Sequence, residues 1–348
     1  MPLSIATACH VVLRGVRFGG VVVSIDEALG GLGRRISVRR VVGTRDGRPL
    51  FTDAVGVLES VDSDEVVLRV RGGGTVAFPR GSVVAAKVVP ARGLRLTGRE
   101  LEEIAAEGWR GLEAERLGDW LMRAGNGFTG RANSVLLVGE PGLRRPQAVA
   151  LVQAWYHARG LPTKFQVPLP DSAVTDRWLA EQGWSAFDEV RVLVADLDHL
   201  LGLQRPVDQD RWRVQVEARP DDAWVAAYHY RGGSLPGYAR PVIENGDHLG
   251  FASVRAVGDG DDVLAIARGS VDRRWLGVTA VEVAPSARRQ GLAGLALGAL
   301  AEWADALGAH SCYLQVAVEN APALALYQRA GFVDHHRYHY RQRPQHQS

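Results

Sequence analysis

A loop between a strand and a helix carries the residues best suited to chemistry. After a strand at 278–283, residues 288–294 read Arg-Arg-Gln-Gly-Leu-Ala-Gly. A glycine-containing turn that opens a helix points several backbone N–H groups at one spot, at the positive end of the helix dipole. Small residues let an anion approach the backbone, and the two arginines add charge. The pattern predicts a pyrophosphate-binding nest. The alternative is a plain helix start with incidental arginines.

A second motif downstream distinguishes these interpretations. Residues 320–332 read Asn-Ala-Pro-Ala-Leu-Ala-Leu-Tyr-Gln-Arg-Ala-Gly-Phe, and residues 288–293 fit Arg-x-x-Gly-x-Ala. In this order and spacing, the two segments resemble the acetyl-CoA motifs of the GNAT (Gcn5-related) N-acetyltransferase superfamily. The resemblance covers residues 210–341 and implies a mixed-sheet α/β fold, acetyl-CoA as co-substrate and no metal.

The resemblance also implies roles for individual residues. Tyr327 would protonate the departing thiolate, since a tyrosine with a pKa of about 10 keeps its proton at neutral pH. The N–H of Val283 would polarise the thioester carbonyl, and Asn320 would contact the CoA arm. The structural alternatives are a core aromatic for Tyr327 and a helix N-cap for Asn320. The residues expected to bind CoA are Val281, Val283, Arg288, Arg289, Gln290, Gly291, Leu292, Ala293, Gly294 and Asn320.

The two motifs do not assign the general base of this site. Some GNAT members place a carboxylate on the fifth strand, where this chain has Gln315, which cannot act as a base. Glu282 lies between two valines, and strand alternation puts it on the face opposite both. It is a candidate base, acting directly or through water; the alternative is a structural acid paired with an arginine. The weaker candidates are Glu319, His335, His336 and His339, the histidines being expected on a solvated last strand.

An internal repeat indicates a second, related unit. Residues 158–184 match 306–332, with the paired glycines at 160 and 183 and at 308 and 331. Ser172 replaces Asn320 and Leu179 replaces Tyr327, while the loop 140–146 holds two prolines, which remove amide donors. We therefore expect a degenerate GNAT-like copy that does not bind CoA in the same way. This copy would support the active copy or form a wall of its acceptor cleft. In the glycine-rich stretch 109–133, the residues that could face an acceptor are Phe128, Arg131 and Asn133; the alternative is a tight loop.

The elements before and around these motifs follow from periodicity. Five short β-branched segments between 36 and 90, separated by turn signals, predict a small barrel. It resembles SH3-like domains that precede GNAT modules in some actinobacterial acyltransferases. Thr97 and Glu100 form a capping-box pattern at a helix start. The further expected elements are strands at 133–139, 163–167, 212–217, 249–256, 263–270, 275–283 and 311–318, and helices at 146–159, 172–182, 220–230, 289–307 and 321–330.

Composition sets the outer bounds. The 348 residues exceed what one core usually serves, and 46% hydrophobic with 23% charged residues is ordinary for a globular protein. A net charge of +2 does not call for nucleic acid or an anionic membrane. Two distant cysteines, no 18-residue apolar run and no signal-peptide pattern favour a cytoplasmic location. The expected domains are an extension at 1–33, the barrel at 34–92, the degenerate copy at 97–203, the catalytic domain at 210–341 and a tail at 342–348.

Two functions fit these features. The first is an N-acetyltransferase that moves acetyl from acetyl-CoA to a primary amine by direct attack in a ternary complex. The second is a catalytically weak acyl-CoA-binding regulatory protein, with the barrel binding a peptide or nucleic acid. The acceptor is a small molecule or a protein, no membrane partner is expected, and the protein is a monomer or a homodimer.

Overall fold

The computed structural model describes residues 25–30, 32–70, 74–89, 95–201, 203, 211–230, 232–258 and 262–343. The expected extension at 1–33 and tail at 342–348 lie mostly outside these residues, and Cys9 and the stretch 204–210 lie wholly outside them. Among the described helices, none has the length and apolar character needed to cross a membrane.

The N-terminal part is an antiparallel sheet of five strands, in the order β4-β3-β2-β1-β5. The five predicted strands are present, and alternating apolar residues such as Ile36, Val38 and Leu68 fill a small core. The edge strands β4 and β5 do not pair with each other among the described residues, so the sheet is open and the predicted closed barrel is not confirmed. The elements are α1 Ile25–Leu29, β1 Arg35–Arg45, β2 Arg48–Val61, β3 Glu65–Arg69, β4 Thr75–Pro79 and β5 Val83–Val88.

Two arginines dock this sheet onto the rest of the chain. The buried Arg35 guanidinium lies 3.6 Å from the Asp196 carboxylate, and Arg69 Nη1 donates to the Asp198 carbonyl at 2.9 Å. In the stretch expected as an extension, α1 instead packs Ala28 and Leu29 against the sheet.

The first half begins at the predicted capping box, where the Thr97 hydroxyl accepts from Glu100 N and the Glu100 carboxylate accepts from Thr97 N. The predicted strand at 133–139 is wrong in extent: only two residues pair, because Asn133 is committed to a loop. The stretch 109–131, expected as a loop, contains two strands. The elements are α2 Gly98–Gly108, β6 Glu113–Leu117, β7 Trp120–Ala124, β8 Val135–Leu136, α3 Arg145–His157, β9 Lys164–Leu169, α4 Ala173–Glu181, β10 Ser185–Asp196 and α5 Leu197–Leu201.

The second half follows the predicted order with two corrections. The helix expected at 289–307 begins at Leu292, because Arg289 and Gly291 have left-handed φ angles of +62° and +83°. The helix expected at 220–230 ends at Ala227 and is followed by a short strand. The elements are β11 Trp212–Glu217, α6 Asp222–Ala227, β12 His229–Tyr230, β13 Gly233–Ser234, α7 Arg240–Ile243, β14 Leu249–Ala256, β15 Val263–Asp272, β16 Trp275–Val283, α8 Leu292–Ala306, β17 Ser311–Ala317, α9 Ala321–Arg329 and β18 Val333–Gln342.

Both halves share one mixed sheet of eleven strands, in the order β11-β14-β15-β16-β17-β10-β18-β9-β8-β7-β6. The halves exchange their last strands: β10 of the first half lies between β17 and β18, and β18 of the second half lies between β9 and β10. The largest core packs α8 against β14–β17. The repeat appears in the backbone, where Gly160 and Gly308, and Gly183 and Gly331, all have positive φ. The boundaries 97–203 and 210–341 stay a prediction, since the sheet runs through both.

Candidate active site

A gap opens where the parallel strands β16 and β17 separate. Their pairing ends at Val278 and Leu314. Just beyond, Ala280 has a φ of +52°, and the register with β15 shifts by one residue, which marks a β-bulge. Bulges bend a strand and change its direction. The end of β16 therefore leaves one side of its backbone without a strand partner.

The amide directions at the end of β16 follow from one hydrogen bond. Ala284 N donates to the Leu264 carbonyl on the β15 side at 2.8 Å. Successive amides of a strand point to opposite sides, so the N–H groups of Val283 and Val281 point toward the gap. Their side chains pack on the α8 side of the sheet, against the main core. The geometry thus presents two strand amides to any extended ligand in the gap.

The predicted anion loop lies at the N-terminus of α8. Gly291 is the N-cap, without a capping side chain, and the first turn of α8 holds no acidic residue. The first N–H groups of a helix have no intrahelical acceptor, so they are available to an anion. Arg288 and Arg289 are exposed, and a Cβ added at Gly291 or Gly294 would meet no protein atom within 4 Å. Gln290 accepts from Arg211 Nη2 at 2.9 Å, Leu292 and Ala293 are buried, and the loop has open space beside it.

Asn320 and Tyr327 have the structural contacts that were the alternatives to their predicted roles, and those roles stay a prediction. The Asn320 side chain accepts from Ala323 N at 3.2 Å and caps α9. Tyr327 is 7% exposed and packs edge-on against Phe332, with ring centroids 5.7 Å apart. Burial, with a smaller contribution from neighbouring Cys312, raises the pKa of Tyr327 to about 12. The hydroxyl therefore keeps its proton at any ordinary pH.

Glu282 lies on the opposite face of β16, where it binds a histidine that sequence analysis missed. Its Oε1 accepts from His229 N at 2.8 Å, and its Oε2 lies 2.9 Å from His229 Nδ1. The alternative of a structural acid paired with an arginine is therefore wrong in its partner, which is a histidine. A carboxylate at Nδ1 favours the tautomer whose Nε2 is an acceptor, the form in which imidazole takes up a proton. The signal for this pair lay in the two-residue strand β12, which the helical pattern at 220–230 concealed.

A cavity of about 410 Å³ lies beside the gap on the same face as Glu282. Gln315 and Ala317, the β17 residues just past the last pair with β16, line it. Tyr230, next to His229, forms part of its wall, and Arg131 of the first half forms another part. The first half thus contributes directly to this cavity, together with β10 residues Asp188 and Val190.

The loop that carries Arg131 is built by Asn133. The Asn133 side chain accepts from the N–H groups of Gly125 and Gly127 at 2.8 and 2.9 Å and donates to the carbonyl of Phe128 at 2.7 Å. The alternative of a tight loop is therefore right for Asn133. Phe128 is fully buried against other aromatic rings, so of the three residues only Arg131 lines the cavity.

A buried polar network connects Gln315 to both halves. The Gln315 amide oxygen accepts from Arg131 Nη1 at 3.1 Å and from the Tyr338 hydroxyl at 3.3 Å. Glu102, 1% exposed on α2, lies 3.0 Å from His336 Nε2 and 2.7 Å from the Gln166 amide nitrogen. Gln315 is therefore a half-buried residue of the cavity wall that connects the two halves through hydrogen bonds.

The remaining weak candidates have other roles. His336 is buried beside Glu102, so the predicted solvated strand is wrong there. His335 contacts His336 and the Leu96 carbonyl, and His339 contacts Asp176. Glu319 is exposed at the cavity rim. No group of three potential metal ligands occurs among the residues that the structure describes.

In the first half, hydrogen bonds close the position that corresponds to the gap between β16 and β17. Beyond the pairs of β8 with β9, Leu137 N still donates to the Gln166 carbonyl at 3.1 Å, and the Ser172 hydroxyl donates to the Leu137 carbonyl at 2.5 Å. In the loop that follows, Glu140 N donates to the Asp119 carboxylate at 3.1 Å. This loop amide is therefore already hydrogen-bonded to a protein anion. The described residues thus contain an open gap in the second half and a closed one in the first.

A mixed sheet whose parallel strands separate beside an uncapped helix start defines a GNAT-type acetyltransferase fold. A family model described as "Probable histone acetyltransferase Rv0428c C-terminal" matches residues 97–341, so the chain belongs to this family within the GNAT superfamily. The "Probable histone acetyltransferase Rv0428c" of Mycobacterium tuberculosis is 33% identical over 320 residues, which cover 89% of this chain and 95% of that protein. Acetyl transfer is thereby supported as the activity.

Two further likenesses agree. The "Uncharacterized N-acetyltransferase YobR" of Bacillus subtilis is 28% identical over 249 residues, covering 70% of this chain and 97% of that protein. Among solved structures, a GCN5-related N-acetyltransferase from Kribbella flavida has a TM-score of 0.54 at 16% identity, covering 74% of this chain and 98% of that one. This last likeness concerns the fold alone.

Proposed function

We propose that this protein transfers the acetyl group of acetyl-CoA to a primary amine by direct attack in a ternary complex, with CoA bound only in the second half. The observation that carries the proposal is the open gap between β16 and β17, beside the N-terminus of α8. The closed counterpart at Ser172 supports the restriction to a single CoA site.

The donor is bound by backbone groups. The amides from Arg289 to Gly294 hold the CoA pyrophosphate, with Arg288 and Arg289 adding charge. The pantetheine arm runs along β16 and pairs with Val281 and Val283, and Asn320 contacts the arm from the start of α9. The Val283 N–H polarises the thioester carbonyl, as a single-donor oxyanion site.

The reaction then needs two proton transfers. The amine nitrogen attacks the carbonyl carbon, the carbon–sulfur bond breaks, and the amine loses a proton to the base. Glu282 and His229 form that base: His229 Nε2 takes the proton and Glu282 holds the imidazole. Tyr327 donates its proton to the leaving thiolate and regains a proton from solvent; its pKa, raised to about 12 by burial, keeps the hydroxyl protonated before the reaction.

The test is CoA-thiol release from acetyl-CoA across a panel of amines that includes small metabolites, polyamines and a histone-tail peptide. The name of the mycobacterial relative raises the histone lysine as one acceptor class. We expect turnover with wild type and a loss of about 100-fold or more in kcat for Tyr327→Phe, with acetyl-CoA affinity retained. If acetyl-CoA binds but no amine releases thiol, the protein is an acyl-CoA-binding regulator.

A further inference from the structure

Arg131 faces the cavity, and its guanidinium has no carboxylate partner among the described residues. Its Nη1 donates to the neutral amide of Gln315 at 3.1 Å, and its Cζ lies 4.9 Å from the centroid of the Trp109 ring. Among the described residues, no carboxylate lies within ion-pair distance of its guanidinium. Arginine presents a planar fork of donors that matches a carboxylate, so its unused nitrogens can bind one.

A second guanidinium reinforces the positive charge. Arg268 is fully buried, with its Cζ 4.8 Å from the centroid of the same Trp109 ring. Its Nε and Nη1 donate to the carbonyls of Ile243 and Gly108, and its Nη2 has no hydrogen-bond partner. Burial lowers the pKa of Arg268 to about 10, so it remains charged at neutral pH. Arg268 does not line the cavity, but it shares the Trp109 ring with Arg131 and so adds to the positive potential around Arg131.

Negative charge lies elsewhere around the cavity. Asp188 and Glu319 are exposed at its open rim. Glu102 lies behind Gln315, whose Nε2 is 3.5 Å from its carboxylate. Among the described residues, the cavity wall therefore holds one cation, Arg131, with Asp188 and Glu319 at its exposed part, while Tyr230, Tyr338 and Tyr340 supply aromatic surface. Its volume of about 410 Å³ is in the range of small-molecule sites.

We propose that the acetyl acceptor is a small amine that also carries a carboxylate, an amino-acid-like molecule, with Arg131 binding the carboxylate. This rests on the proposed function, because the acceptor must reach the gap where Gln315 and Ala317 leave the β16 pairing. The rim acids Asp188 and Glu319 attract the ammonium group before it loses its proton to the base.

The first experiment compares matched acceptors that differ only in the carboxylate: tyrosine with tyramine, tryptophan with tryptamine, and lysine with cadaverine. We expect wild type to prefer the carboxylate-bearing member of at least one pair by about 10- to 100-fold in kcat/KM, the range that charge-assisted hydrogen bonds provide. Arg131→Gln should remove this preference by raising the acceptor KM, with the acetyl-CoA KM unchanged. Arg131→Lys should retain part of it.

The matched control is Arg177→Gln, which removes an exposed arginine on α4 and should leave the preference intact. Thermal unfolding of each variant separates loss of the site from loss of the fold. Equal use of both members of every pair by wild type, a preference for the decarboxylated member or the histone-tail peptide, or a preference unchanged in Arg131→Gln each overturns the proposal.

A binding measurement keeps this inference separate from the proposed function. Calorimetric titration of the three amino acids and their N-acetyl derivatives needs no turnover. Binding by wild type that is lost in Arg131→Gln would support the carboxylate site even if no amine were acetylated, and the proposed activity alone would then fail. Absence of binding together with absence of turnover overturns the site.

Discussion

Glu282 accepts two hydrogen bonds from a single residue, His229, one from its backbone N–H at 2.8 Å and one at its Nδ1 at 2.9 Å. This arrangement orients the imidazole and separates two possible bases. His229→Asn keeps an N–H donor near the Nδ1 position but removes Nε2. If His229 takes the proton, kcat should fall by about 100-fold or more, with acetyl-CoA affinity unchanged.

The companion variant is Glu282→Gln. When His229 is the base, this change lowers kcat less than His229→Asn does, because the imidazole is disoriented but present. The lost rate in His229→Asn should partly return as pH rises, since the amine then loses its proton to solvent. If His229→Asn is fully active and Glu282→Gln is inactive, the base is the carboxylate itself. The measurement is the pH profile of kcat.

Gly294→Ala should stabilise the protein and weaken CoA binding. Gly294 lies in the first turn of α8, and alanine is favoured over glycine in a helix by about 1 kcal/mol. Because the added Cβ would meet no protein atom within 4 Å, any loss of function must come from contact with the ligand. Calorimetry with CoA and a thermal melt measure the two effects. Unchanged CoA affinity would place the pyrophosphate elsewhere.

Asn133→Ala should weaken acceptor binding and leave acetyl-CoA binding unchanged. Its buried side chain makes hydrogen bonds to the backbone of Gly125, Gly127 and Phe128, so its loss should cost about 1–3 kcal/mol of unfolding free energy. Since the loop positions Arg131, we expect a higher acceptor KM and an unchanged acetyl-CoA KM. Asn245→Ala, which removes one hydrogen bond to the Gly111 carbonyl, is the control and should affect stability alone.

Acid should weaken the contact between α4 and β18. Burial raises the pKa of Asp176, but hydrogen bonds from Arg341 and His339 outweigh this, so the pKa is lowered overall. The folded pKa thus lies below the unfolded value of about 4. The stabilisation is fully present above the unfolded pKa and is lost as pH falls through the folded pKa.

Asp176→Asn should therefore cost about 2 kcal/mol at pH 7, and its difference from wild type should shrink below about pH 4. The control is Asp53→Asn, which breaks an exposed pair with Arg39 and should have little effect. Urea unfolding at several pH values tests both. A difference between Asp176→Asn and wild type that does not change with pH would contradict the assignment.

Local patterns predicted features of both halves. The capping box at Thr97 and Glu100 is confirmed, as are the strands at 249–256, 263–270 and 275–283 within a residue or two. These features depend on residues close in sequence, such as a cap three positions from its partner. Periodicity missed the start of α8, because the left-handed backbone at Arg289 and Gly291 leaves no trace in the apolar pattern.

The rest of the site depends on contacts that no local pattern records. Arg131 meets Gln315, and His229 meets Glu282, only after the sheet has formed. The strand predicted at 133–139 is shorter than expected because the Asn133 side chain bonds the backbone of Gly125, Gly127 and Phe128 in a loop. The exchange of β10 and β18 pairs residues from opposite halves, and a repeat alone does not reveal it.

The exchange of β10 and β18 also constrains the order in which the chain can fold during synthesis. During synthesis β10 is complete long before β17 and β18 emerge, so both of its edges wait for the C-terminus. Domains usually fold in order as they leave the ribosome, but here the first half cannot finish its sheet alone. The cavity wall at Asp188 and Val190 therefore exists only in the finished chain. The second half is likewise incomplete alone, because β10 of the first half separates its strands β17 and β18.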